Sequence, residues 1–241
     1  MEWKNLDKCN SFLALKGLPK VNLASVLTPE RIASYSIPLG SSLHYNYATK
    51  QVDETTIEAL QALADEQMLI EKYKAVLRGE VINTGENRLV LHHLTRDRSN
   101  SPLMFNGTDM HKFYLKELEK ISVFVERIHS GDIRSSSGKR FTDVVQLGIG
   151  GSDLGPRCLY IALKEFARSK KLNKMKAHFI SNVDPTDANS ILYDIEPSST
   201  LFILVSKSGT TEETLANKEL VLKYLNAKGI EDIEKNFVVV T

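Results

Sequence analysis

Cysteine is scarce in this chain. There are two in 241 residues, Cys9 and Cys158, with no C-x-x-C pair and no ligand-like neighbours. That excludes a disulfide framework and a cysteine-rich metal site; it fits a reducing cytosol, and the count alone leaves one isolated disulfide open. Long apolar runs are also absent: nothing approaches the ~20 residues that cross a bilayer. The opening stretch, MEWKNLDKCN, lacks the apolar core of a signal peptide. No charge sign dominates, with 31 Lys and Arg against 30 Asp and Glu and a net charge of +1. There is therefore no electrostatic footprint for nucleic acid or for an acidic partner. Internal repeats and low-complexity segments are missing as well. The expectation is a soluble, cytoplasmic, globular protein with neither nucleic-acid nor membrane partners.

What is present is enough apolar material, 42% of residues, for a sizeable core in one or two domains. The chain has two textures. Up to about residue 135 it reads as helices and irregular connections, with Trp3, Leu6, Phe12 and Leu13 near one helical stripe. In TPERIASY, Thr28 is an N-cap, Pro29 stands at N1 and Glu30 in the first turn. One long helix is expected from Asp53 to Glu80 and a second amphipathic one from Thr108 to Gly131. GDIRSSSGKR, 131–140, is a loop by composition.

From Phe141 the pattern becomes β-α-β-α-β-α-β. DVVQLGI, MKAHFISNV, TLFILV and NFVVVT read as strands apolar on both faces. PRCLYIALKEFARSKK, opening at Pro156, reads as the first helix. DPTDANSILYDI, capped by Asp184 with Pro185 at N1, reads as the second, and TTEETLANKELVLKYLNAK as the third. This predicts an α/β domain with a parallel sheet flanked by helices and right-handed crossovers. Ligands of such sheets sit beyond the carboxyl ends of the strands.

Two glycine- and hydroxyl-rich stretches fall at such ends. SKSGTTEET follows the strand TLFILV and opens a helix. Ser206, Ser208, Thr210 and Thr211 supply hydroxyls, Lys207 a cation, and Gly209 a backbone free to come close. With the unpaired N–H groups of the helix start these make an anion cradle suited to a phosphate monoester. The plainer reading is a loop with a capping box, Thr210 as N-cap and Glu213 at N3. The two readings are compatible. QLGIGGSDLGP, 146–156, fails as a dinucleotide G-x-G-x-x-G because Asp153 replaces the last glycine. It fails as a Walker loop because Pro156 stands where lysine is needed. Either it lets a small ligand approach the backbone near Ser152, or it is only a tight strand-to-helix turn. A third polar stretch, INTGENRLVLHHLTR, carries Asn83, Glu86, Arg88, His92, His93 and Arg96, and is read as a buried ion-pair and hydrogen-bond network. Adjacent His92 and His93 point apart, and no third ligand stands at metal-site spacing. His44, His111, His129 and His178 are isolated and read as surface or packing residues.

Taken together, these stretches resemble one family, the glucose-6-phosphate (phosphoglucose) isomerases, in its N-terminal part. ENRLVLHHLTR is similar to the family's TE-x-R-x-VLH-x-ALR segment, with Leu94-Thr95-Arg96 in place of ALR and His93 a local variation. VVQLGIGGSDLGP, FISNVDPTD and FILVSKSGTTEET follow in the family's order, so that the likeness covers about residues 80 to 241. The resemblance implies a sugar isomerase (SIS) domain over 106–241 behind a mainly helical extension over 1–105. It implies interconversion of glucose 6-phosphate and fructose 6-phosphate with no metal and no organic cofactor, in a cytoplasmic homodimer. Ser206, Lys207, Ser208 and Thr211 match the phosphate-binding positions, and Thr210 lies in the same loop. Gly151 and Ser152 match first-loop positions near the substrate, and Glu213 a glutamate that supports a ring-opening histidine. The family's catalytic base, that histidine and the second SIS domain have no counterpart here. The expectation is a truncated first domain of a longer enzyme, inactive by itself. Two alternatives stand beside it: a non-catalytic SIS module that senses a sugar phosphate, and a structural or interaction protein, for which two ligand loops would be gratuitous.

Overall fold

The computed structural model describes residues 4–172 and 174–241, so Trp3 lies outside the described residues. The chain divides into two compact units, Met1–Lys116 and Glu117–Thr241.

The first unit begins with α1 (Asn10–Lys16), α2 (Leu23–Val26) and α3 (Pro29–Ser34). Thr28 caps α3 through the N–H of Arg31, with Pro29 in the first turn, as its sequence predicts. A hairpin follows, β1 (Ser36–Gly40) paired antiparallel with β2 (Leu43–Asn46), in a stretch read only as irregular connection. The buried Arg31 secures the chain after the hairpin, donating to the carbonyls of Ala48 and Val52 at 2.9 and 2.7 Å. The single helix expected from Asp53 to Glu80 is two, α4 (Glu54–Glu66) and α5 (Leu69–Leu77). Met68 breaks it in the left-handed region at φ 52°. Glu66, at the end of α4, accepts from the backbone N–H groups of Asn10 and Ser11 and so caps α1 across the fold. A short ladder, β3 (Met104–Phe105) with β4 (Thr108–Asp109), leads into α6 (Met110–Ser130), which ends at Gly131 as expected.

The polar stretch 82–96 is not a buried network. Arg88 and Glu86 form an exposed pair at 3.9 Å, and the buried members are Leu91 and Leu94. Glu86, Arg88, His92 and Arg96 are exposed to solvent, and an isolated bridge, Asn83 with Arg88, closes the turn.

The second unit is α/β, with a parallel sheet flanked by helices. Its strands are β5 (Asp143–Leu147), β6 (Lys176–Ile180), β7 (Thr200–Val205) and β8 (Phe237–Val240), ordered β6-β5-β7-β8 and all parallel. The connecting helices are α7 (Gly151–Ser169), α8 (Pro185–Asp194) and α9 (Glu212–Ala227). Side-chain alternation gives the sheet two core faces. Val145, Leu147, Ile180 and Phe202 pack with Ala188 and Leu192 of α8 and Val221 and Leu225 of α9. On the other face Leu201 and Val144 pack with Ile128 and Phe124 of α6 and with Phe141. Asp184 caps α8 through the N–H of Thr186, with Pro185 at its start. Both cysteines are free thiols, Cys9 buried and Cys158 exposed. Among the described residues no helix is long and apolar enough to cross a membrane.

Candidate functional site

From β5 the chain steps to β6 on one side, and β7 returns to lie on the other. The strand order therefore reverses at β5 and β7, and a crevice opens outside the carboxyl ends of these neighbours, some 4.8 Å apart. The two loops singled out from sequence leave these two strands: Gly148 to Ser152 from β5, and Ser206 to Thr211 from β7. Both candidate loops thus lie at the carboxyl end of the sheet in the second unit.

The β7 loop is shaped by its own hydroxyls. Ser206 is buried, and its N–H donates to the Val240 carbonyl at 3.0 Å, extending the ladder by one residue. Its Oγ lies 3.1 Å from Thr211 Oγ1 and accepts from the Gly209 N–H at 3.1 Å. Gly209 sits at φ +69°, a conformation costly for a side chain, and this turn brings the loop back over the start of α9. Ser208 Oγ accepts from both the N–H and the hydroxyl of Thr210, at 3.2 and 2.9 Å. Lys207, Ser208, Gly209 and Thr210 are exposed, with Lys207 at the rim.

The expected capping box is not formed. The N-cap of α9 is Thr211, one residue later than Thr210, and it makes no side-chain capping bond. The hydroxyl that could cap the helix is turned toward Ser206 instead. The first-turn N–H groups of α9 thus lack that side-chain acceptor, which suits an external anion. Glu213 falls in the first turn and is exposed. Thr214, one residue further, is 1% exposed and its Oγ1 has no hydrogen-bond partner.

The β5 loop is built by close backbone approach. A Cβ on Gly148 would stand 2.6 Å from the Ser152 carbonyl oxygen. Gly150, at φ +57°, is the N-cap of α7. The helix starts at Gly151, five residues before Pro156, where the sequence suggested its opening. Proline lacks the N–H that would reach back four residues to the Ser152 carbonyl. Gln146 Nε2 supplies that bond at 2.8 Å, so the early start costs no orphaned acceptor.

Sequence reasoning missed the residues beneath these loops. Asp153 is 3% exposed and accepts from Arg157 Nε at 3.0 Å. Arg157 also donates to Ser181 Oγ at 2.7 Å, which ties the start of α7 to the end of β6. Buried Asn217 of α9 donates to the Asn182 carbonyl at 2.9 Å. The spacing of Asp153 and Arg157, i and i+4 on one helix, was a usable signal. Cavities lie away from these loops, among them one of about 720 Å³ beside His93, Arg96 and Asp97 and one of about 650 Å³ beside Tyr160 and Leu163. The candidate loops line neither; they lie beyond the carboxyl ends of the two interior strands. Among the described residues no group of three His, Cys, Asp or Glu could hold a metal ion.

The fold is an α/β domain of the SIS type, with two glycine- and hydroxyl-rich loops at the switch point of its parallel sheet. A family model described as phosphoglucose isomerase matches residues 46–241. A glucose-6-phosphate isomerase of Treponema denticola is 55% identical over the whole chain, and one of Borreliella burgdorferi is 47% identical. The crystal structure of a glucose-6-phosphate isomerase from Chlamydia trachomatis superposes with a TM-score of 0.74 at 32% identity, over 99% of this chain and 45% of that one. The chain belongs to the phosphoglucose isomerase family. It spans about half the length of the curated relatives it matches, 47% and 46% of the two above.

Proposed function

We propose that this chain provides the phosphate-holding part of an aldose–ketose isomerase that interconverts glucose 6-phosphate and fructose 6-phosphate. The carrying observation is the β7 loop: hydroxyls of Ser206, Ser208, Thr210 and Thr211 and the Lys207 cation gathered at a helix start whose N-cap side chain does not close it. In this reading the phosphate accepts from these hydroxyls, from Lys207 and from the first N–H groups of α9. Gly151 and Ser152 meet the sugar end, where a residue without a side chain lets the substrate lie against the backbone.

The chemistry opens a hemiacetal and then moves a proton between adjacent carbons through an enediolate. It needs a base beside those carbons and a donor for the developing oxyanion. The phosphate takes no part in either step. Its binding energy holds the reacting carbons in register, and orientation of this kind is where much of the barrier is removed. Exposed Glu213 is assigned only an auxiliary place, orienting a histidine from the part of the relatives that this chain does not span. We assign the base to that same part, so the 241-residue chain binds hexose phosphate without turning it over. A coupled assay of the purified chain tests this: the expected rate is background. Turnover of fructose 6-phosphate by the chain would overturn the assignment.

A further inference from the structure

The cavity of about 650 Å³ in the second unit lies at the opposite end of the sheet from the β5 and β7 loops. It is bounded by Thr142, just before β5, by the 174–176 segment that starts β6, and by α7. A strand of this length puts the two ends about 13 Å apart. Two adjoining rows of α7 face it. One is apolar, Leu159, Leu163 and Ala167; the other is Tyr160, Lys164 and Arg168. Met175 completes the floor, and the ring of Tyr160 is held by the Ala177 N–H, which donates to its hydroxyl at 3.2 Å.

The rim is of one sign. Lys164, Arg168, Lys174 and Lys176 line it, and no carboxylate does. Glu165 pairs with Arg168 at 2.8 Å; among the described residues no carboxylate pairs with Lys164, Lys174 or Lys176. Such a balance, an apolar floor under concentrated positive charge, selects a ligand with a flat apolar body and several negative charges. A free sugar phosphate fits poorly, because both hydroxyls that line the cavity are engaged, Tyr160 by the Ala177 N–H and Thr142 by Asp143 Oδ2 at 2.9 Å and Ser199 Oγ at 3.1 Å. A cavity of about 650 Å³ falls within the range that encloses small ligands.

We propose that this cavity binds a nucleoside phosphate, the base lying over Leu163, Ala167 and Tyr160 and the phosphates among the four cations. The site is independent of the hexose phosphate reading, since none of the residues of the β5 and β7 loops borders it.

The test is calorimetric and NMR titration of the full chain with ATP, AMP, adenosine, inorganic phosphate and dodecyl phosphate. ATP is expected to bind saturably and more tightly than AMP, with adenosine and inorganic phosphate each at least about tenfold weaker than ATP. Amide shifts should concentrate at 159–168 and 174–176, and excess fructose 6-phosphate should not reverse them. Lys164→Glu and Lys176→Glu should each weaken ATP by about tenfold. Both side chains are exposed, so the thermal midpoint should stay within about 2 °C. Lys164→Gln with Lys176→Gln gives the same direction without reversal of charge. Absence of saturable nucleotide binding, displacement by fructose 6-phosphate, indifference to these variants, phosphate binding as tight as ATP, or dodecyl phosphate binding where nucleotides do not would each overturn the proposal.

Discussion

Gly148→Ala tests how the β5 loop is made. The added Cβ would meet the Ser152 carbonyl oxygen at 2.6 Å, its carbon at 3.0 Å and the Ser152 Cβ at 3.1 Å. These are mostly backbone atoms, so no side chain can simply swing away. Reaching an ordinary contact of about 3.5 Å requires the first turn of α7 to retreat by about 0.9 Å. That movement strains the 2.8 Å bond from Gln146 Nε2 that satisfies the Ser152 carbonyl ahead of Pro156. Overpacking costs about 1–3 kcal/mol and a weakened buried hydrogen bond about 1 kcal/mol more. A loss near 3 kcal/mol lowers the thermal midpoint of this 241-residue chain by about 6–12 °C. Gly151→Ala is the matched control. Its Cβ would meet nothing within 4 Å, and the residue is already helical. It should leave stability unchanged or higher by up to about 1 kcal/mol, while weakening hexose phosphate binding if substrate lies against that backbone. Thermal unfolding of the two variants side by side decides the matter. If Gly148→Ala melted within about 1 °C of the parent, or if Gly151→Ala melted as low as Gly148→Ala, the close-approach account of the loop would be wrong.

Other expectations are equally concrete. Arg157→Ala leaves the carboxylate of Asp153, 3% exposed, without its partner, and should cost about 2–3 kcal/mol in denaturant unfolding, whereas Asp153→Asn with Arg157→Gln should recover part of it. Phe202→Ala removes a fully buried ring stacked at 5.2 Å on Phe237 and should cost about 3–5 kcal/mol, read as a lower urea midpoint with unchanged m. The Ser11 N–H and hydroxyl, with Lys4 and the Asn10 N–H, hold the Glu66 carboxyl down at about 2 from an ordinary 4.5. Because the folded value is the lower one, this stabilisation is complete above the ordinary value and fades as pH falls from 4.5 toward 2. The stability gap between the parent and Glu66→Gln should close over that window; a gap that stays constant on acidification contradicts the tertiary cap.

The second unit was legible because its signals are local. Apolar runs of strand length, Asp184-Pro185 at a helix start and Gly131 at a helix end each act within a few residues. That the two loops leave the carboxyl ends of strands followed from the order of strands and helices; that β5 and β7 are neighbours at a switch point did not. Three features depend on contacts that spacing does not encode. Met68 enters the left-handed region in a stretch of good helix formers, so one expected helix became two. The hairpin at 36–46 turns through Gly40, Ser41 and Ser42, all at positive φ, and serine gives little warning of that. The cap of α9 was misplaced by one residue because Thr211 answers to Ser206, five residues back and on the other side of the turn. The start of α7 was hidden for a similar reason: Pro156 argues for a helix beginning there, and only Gln146 shows why an earlier start is tolerated.

The central claim is that the loop from Ser206 to Thr211 holds the phosphate of a hexose phosphate. Its most direct measurement is an amide-resolved titration of the chain with fructose 6-phosphate, repeated on Ser208→Ala with Thr211→Ala. The account requires saturable shifts at 206–213 and 150–153, a similar pattern with inorganic phosphate at 206–213 alone, and binding at least about tenfold weaker in the double variant. Saturable binding that leaves these amides unmoved, or that the double variant retains in full, would contradict it.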